Sequence, residues 1–191
     1  MATGSSSHLT DVSRARGLRV AGLAIIILAA GAALLPAEKG VSSDVLGALL
    51  IAAGLIEMIA GSLRLQARQL TIAAGAITAI AGLLFITNPE TKFFPTVTPI
   101  IGWLLIRSAI YGYASTRSQG SIKTWTALSA AIDLLLAALL IAGLSIAALV
   151  VSVFGPTPPL IASFSWVLAA SFVVNGLLLL EVASGKREVT H

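Results

Sequence analysis

Residues 44–63 read DVLGALLIAAGLIEMIAGSL. Beyond Asp44 the run carries one charge, Glu57, and is otherwise apolar or small, without the alternation that a barrel strand requires. As a helix rising about 1.5 Å per residue, it covers roughly 30 Å, the thickness of a bilayer's hydrocarbon core. A backbone in lipid must satisfy its own hydrogen bonds, which leaves the helix as the form for a continuous run of this kind. The stretch therefore reads as a transmembrane helix.

Five comparable runs surround it, at residues 18–35, 69–87, 96–115, 124–150 and 160–183. Of the 191 residues, 57% are apolar and 10% charged. A soluble fold of that composition exposes more apolar surface than water tolerates. The expected fold is all-α, an integral membrane bundle of six transmembrane helices. Arginines precede the first run and small residues close it, in the manner of a signal peptide. It is longer than the roughly 7 to 15 apolar residues of such a segment, and further spans follow at once, so it reads as a span. The fifth run stays apolar as far as Phe154, longer than a bilayer needs, and a tilt or a loosening near Gly143 is expected.

Breakers separate the runs: Pro36 with Gly40, Asn88-Pro89-Glu90, Gly120, and Gly155-Pro156 with Pro158-Pro159. Only the junction at 64–68 lacks Gly or Pro. Residues 1–17 are rich in Ser and Thr and read as a disordered cytoplasmic tail. Residues 18–187 form the transmembrane domain, and 188–191 a C-terminal tail.

Lysine and arginine fix the expected orientation. Arg14, Arg16, Arg19, Arg64, Arg68, Arg117, Lys123, Lys186 and Arg187 fall on one side of the membrane, against Lys39 and Lys92 on the other. The first side is then cytoplasmic, and both termini lie there. Trp125, Tyr111, Tyr113, Phe93 and Phe94 stand at span boundaries, where aromatic residues collect. The net charge of +4 comes from basic clusters beside apolar runs, so the expected partners are membrane lipids and not nucleic acid. With no cysteine, disulfides and thiolate chemistry are excluded.

Residues 17–67, 68–120 and 121–187 share one plan: an apolar helix, a proline turn, a second helix, then a basic residue. The turns carry Pro36, Asn88 with Pro89, and Pro156. Gly47, Gly54 and Gly61 recur along the second helix at heptad spacing, as do Gly75 and Gly82 on the third. Glycines in such a register form seams along which helix backbones approach closely. Three helix-proline-helix hairpins with these glycine-rich helices resemble the HdeD-like short-repeat membrane proteins. The resemblance implies a bacterial inner-membrane protein of six spans, associated in some members with acid-stress resistance, and it brings no catalytic or binding residues. The third repeat departs from the pattern, since its Pro156–Pro159 turn follows an overlong helix.

Polar residues inside the spans carry the functional expectation, because a charge at mid-bilayer costs several kcal/mol without a partner or water. Glu57, Arg107, Asp133 and Asn175 each fall about 10 to 13 Å inward from the cytoplasmic ends of their helices, at about 1.5 Å per residue. They form a candidate polar layer, with an Arg107–Asp133 ion pair at its centre and Glu57 and Asn175 beside it. Three roles stay open: fixing helix register, relaying protons through the carboxylate that lacks a cation of its own, or binding a lipid headgroup or partner subunit.

Catalytic and nucleotide motifs are missing, with no Walker loop, dinucleotide glycine fingerprint, HExxH or GxSxG. The two histidines, His8 and His191, lie in the tails, so no cofactor or metal site is expected. The leading expectation is a non-enzymatic inner-membrane protein of the HdeD-like kind with a structural or stress-protective role, alone, as a homo-oligomer or in a complex. The alternatives are a small proton or solute transporter, and an accessory subunit of a larger membrane complex. A transporter requires a hydrated cavity at Glu57 and Asp133, whereas a scaffold requires a dry, packed pair.

Overall fold

The computed structural model describes residues 4–34, 43–87, 93–154 and 162–184. These form six helices: α1 (Gly4–Ala33), α2 (Ser43–Leu63), α3 (Arg68–Thr87), α4 (Phe93–Thr116), α5 (Gly120–Phe154) and α6 (Ala162–Ser184). Among the described residues there is no strand. The turn residues Pro36, Asn88, Pro89 and Pro156 lie outside them.

Among the described residues, five helices have the length and composition to cross a membrane: Asp11–Ala33, Asp44–Leu63, Arg68–Thr87, Gly120–Gly143 and Val167–Ser184. The chain is therefore a multi-pass membrane protein. α4 carries Pro99, Trp103, Arg107 and Tyr111 among its apolar residues. The surface agrees with a lipid setting. Leu23, Ile27, Ile59, Leu83, Leu134 and Leu139 point outward, while Glu57, Arg107 and Asp133 point in. That reverses the arrangement of a protein folded in water.

The structure departs from the sequence reading at the N-terminus. Residues 1–17 were expected to be disordered, yet α1 is helical from Gly4 onward. Once a helix is nucleated in the apolar run, each added residue costs little, and no proline stands between Gly4 and Gly17 to stop it. α5 is continuous through Gly143 over 35 residues, without a break at that glycine.

Each helix packs on its neighbours in sequence, and α1 also packs on α6, so the six close into a ring. The closest pairs are α2 with α3, α6 with α1, and α4 with α5. Glycine explains the first of these. A Cβ on Gly54 would lie 2.6 Å from Gly75 O, and one on Gly47 2.6 Å from Gly82 O, so any side chain there would push the backbones apart. Gly61 closes the same seam against Ile72 N at 3.0 Å. Gly22 and Gly176 do likewise between α1 and α6, each 2.9 Å from the other's carbonyl oxygen by the same measure. Between α4 and α5 the close approach is made by a hydroxyl, Ser108 Oγ donating to Ala130 O at 2.8 Å.

The junction without a breaker, Arg64 to Ala67, turns through Ala67 at φ 51°. Ala67 O then accepts from Thr71 N at 3.0 Å and Thr71 Oγ1 at 3.2 Å. These bonds hold a left-handed residue that a Cβ disfavours by about 1–2 kcal/mol.

Candidate functional site

The four polar residues singled out in the spans meet at the centre of the ring, on α2, α4, α5 and α6, and each is at most 3% exposed. Arg107 is the hub. Its Nη2 lies 3.5 Å from Glu57 Oε1 and its Nε 3.6 Å from Asp133 Oδ2. A third arm, Nη1, donates to Ser171 Oγ at 3.0 Å, and Ser171 in turn donates to Asp133 Oδ1 at 2.7 Å. The hydroxyl thus bridges the ion pair. Trp103 and Tyr111 hold the guanidinium from one turn before and one turn after, each ring centroid 5.4 Å from Arg107 Cζ. Residues 103, 107 and 111 share one helix face because they recur every four positions.

Glu57 has its own set of donors. Tyr111 donates its hydroxyl to Glu57 Oε1, and the phenolic oxygen lies 3.2 Å from Asn175 Oδ1. Thr78 Oγ1 stands 3.5 Å from Glu57 Oε2, donates to Ala74 O at 2.9 Å and accepts from Trp103 Nε1 at 3.0 Å. Asn175 thus meets the cluster at Tyr111 and also makes a side-chain hydrogen bond to Glu57. Arg107 Nε and Asp133 Oδ2 face each other at an ion-pair distance too long for a hydrogen bond, and neither has another hydrogen-bond partner among the described residues.

Trp103, Ser171 and Thr78 were not anticipated as members of the cluster, and Tyr111, expected at a span boundary, is instead buried within it at 1% exposure. Spacing was the available signal: Trp103, Arg107 and Tyr111 recur at four-residue intervals, and so do Ser171 and Asn175. Arg64 was read as a loop charge marking the cytoplasmic side. Its side chain is buried, 3% exposed, with Nη1 donating to Thr71 Oγ1 at 2.8 Å. Burial holds this guanidinium below the usual arginine range, at about 10, against the opposing pull of Glu57. On α5 the buried hydroxyls of Thr126 and Ser129 lack hydrogen-bond partners among the described residues. The five seam glycines lie apart from the cluster's polar atoms and line the α2–α3 contact.

Comparison with known proteins adds no relative. No family model, curated protein or solved structure matches this chain.

The arrangement defines what chemistry is open to it. Among the described residues there is no group of three His, Cys, Asp or Glu side chains that could hold a metal. The two carboxyls that do approach one another share Arg107, whose positive charge occupies the place a cation would take. Neither histidine nor cysteine supplies a nucleophile or base within the cluster. What the site does offer is charge compensation across four helices, with two carboxyls to one guanidinium.

Proposed function

We propose that this chain is a non-enzymatic protein of the bacterial inner membrane, similar to the HdeD-like short-repeat proteins, with six spans and both termini in the cytoplasm. Its role is structural or stress-protective, and the central cluster locks its helices into one bundle. The observation that carries this reading is the closure of the cluster, since Glu57, Arg107, Asp133 and Asn175 all turn inward at 3% exposure or less and find partners on neighbouring helices. Polar groups packed and partnered in this way resist separation in lipid.

The sixth span is α4. It supports this by bringing Arg107 to mid-helix positions of both α2 and α5, while its outward residues Leu105 and Ile106 are apolar. The threefold repeat draws support from the register of buried positions. On the odd helices Leu18, Thr71 and Thr126 correspond, as do Ile25, Thr78 and Asp133; on the even helices Ala53, Arg107 and Asn175 do, as do Glu57, Tyr111 and Leu179. The three close approaches, Gly54 to Gly75, Ser108 to Ala130 and Gly176 to Gly22, fall at one place in this register.

One observation favours a second reading, a proton transporter: the cluster pairs two carboxyls with a single guanidinium, so a proton is what balances it. Proton flux into liposomes holding the purified chain, under an imposed pH gradient, separates the two. A scaffold gives the protein-free rate with and without Glu57→Gln. Flux above that rate, abolished by Glu57→Gln, overturns the scaffold in favour of transport.

A further inference from the structure

α1 and α2 enclose between them a groove of about 780 Å³, set on the outside of the ring. Its walls are apolar: Val20 and Ala24 on α1, Ile56, Ile59 and Leu63 on α2. One guanidinium, that of the exposed Arg16, stands among them. From Val12 to Ala24 the groove follows α1 for roughly 18 Å at about 1.5 Å per residue, close to the ~15 Å depth of one leaflet. Its volume lies within the ~300–1,000 Å³ typical of small-molecule sites.

Small residues open it. Gly17 and Ala24 line α1 here, and in the repeat register proposed above their counterparts are Leu70 and Ile77 on α3, then Trp125 and Ile132 on α5. Ile77 and Trp125 pack against the core. The first hairpin alone has glycine and alanine where its counterparts are bulky.

An apolar slot one leaflet deep, open to the membrane side and carrying a cation near the basic face, has the chemistry of one kind of occupant. Arg14 and Arg19 lie within a turn of Arg16, so the groove's polar end sits in a positive field. We propose that the α1–α2 groove binds one phospholipid with a net-negative headgroup, its acyl chain along Val20, Ala24, Ile56 and Ile59 and its phosphate on Arg16. The site rests on the membrane setting of these helices. Neither Arg16 nor Val20 belongs to the central cluster, so its failure leaves the scaffold reading standing.

The test uses the full chain in mild detergent, stripped of native lipid and then given phosphatidylglycerol or phosphatidylcholine, with native mass spectrometry counting the lipid retained. Wild type is expected to retain one phosphatidylglycerol with about fivefold preference over phosphatidylcholine, the discrimination one basic residue supplies near a membrane surface. Arg16→Gln brings that preference to about onefold while an acyl chain still enters. Val20→Trp, which lays an indole over the slot from an exposed position, lowers retention of both lipids. Equal retention of the two lipids by wild type, or a preference that survives Arg16→Gln, overturns the proposal. So does a dimer without lipid that Val20→Trp splits, since the groove then belongs to a second copy. Arg16→Gln decides the matter by itself if Val20→Trp fails to fold.

Discussion

Replacing Arg107 by Met removes the hub of the cluster while keeping most of its apolar stem. The loss is worked from four contacts: two ion pairs at 3.5 and 3.6 Å, a hydrogen bond to Ser171 at 3.0 Å, and a position between the rings of Trp103 and Tyr111. Stripping one partner from a buried ion pair costs about 3–5 kcal/mol, mainly because the other charge is left uncompensated. Arg107 leaves two carboxyls in that state, so Arg107→Met is expected to lie at the upper end, ~5 kcal/mol. The assay is reversible unfolding in mixed micelles by a denaturing detergent, followed by circular dichroism. Two companions identify the cause. Arg107→Lys keeps the charge but loses the fork and the stacking, and is expected to recover about half of the loss. Adding Glu57→Gln and Asp133→Asn to Arg107→Met removes the stranded charges and brings stability back to within about 2 kcal/mol of wild type. A loss below about 1 kcal/mol for Arg107→Met, or no recovery in the triple variant, refutes the view that this cluster holds the bundle by charge compensation.

Gly54→Leu is expected to cost ~3 kcal/mol or more by forcing α2 from α3, because even its Cβ meets Ala79 N at 2.5 Å; Gly112→Ala, with nothing within 4 Å, is expected to gain up to about 1 kcal/mol in the same assay. Ala67→Gly relieves the left-handed residue before α3 and is expected to raise stability by ~1 kcal/mol, offset in part by the freer unfolded chain. Arg64, held at about 10 by burial, gives a pH signature. Its folded value is depressed, so the penalty of burying the charged form is fully present below about pH 10 and fades as pH rises from there toward the ordinary arginine value. Wild type is therefore expected to gain stability on Arg64→Gln across that window, and a constant difference between the two chains rejects the assignment.

The membrane character was legible because it depends on a cumulative quantity. Any run such as residues 44–63 carries some twenty separate votes for lipid, and one Glu57 does not outweigh them. In α4 the run 96–115 still reads as a span although Trp103, Arg107 and Tyr111, which place the site at its centre, dilute its apolar content. The charged members of the cluster stood out for the same reason, as rare residues in expensive places. Ser171 and Thr78 did not, because a hydroxyl in a membrane helix is ordinarily satisfied by the carbonyl one turn back, as Thr78 is by Ala74. Only the neighbouring helix reveals that the same hydroxyl also receives Trp103. The burial of Arg64 was not legible, because charge placement along a sequence reports the side of the membrane, not the direction a side chain takes on reaching it. The helical reach of residues 4–17 escaped for a different reason, since polarity argues against a core but not against extension of a helix already begun.

The tightest helix contacts fall between hairpins and not within them, which bears on assembly. The helices of one proline hairpin, α1 with α2, α3 with α4 and α5 with α6, make lighter contact than α2 with α3, α4 with α5 and α6 with α1. The glycine and serine approaches all fall in the second set. A helix pair that has just entered the membrane thus meets its tightest partner only when the next pair arrives, and α1 waits for α6. The central cluster follows the same sequence. Glu57 enters on α2 without its cation, Arg107 arrives two helices later, Asp133 on α5, and Ser171 and Asn175 last on α6. Until α6 docks, the hydroxyl that bridges Arg107 to Asp133 is missing and the Gly22 seam is uncovered. A chain ending before Ala162 should accordingly insert yet remain loose, and adding α6 as a separate peptide should restore protection of α1 from protease; protection already complete without α6 would show that the ring closes by some other contact.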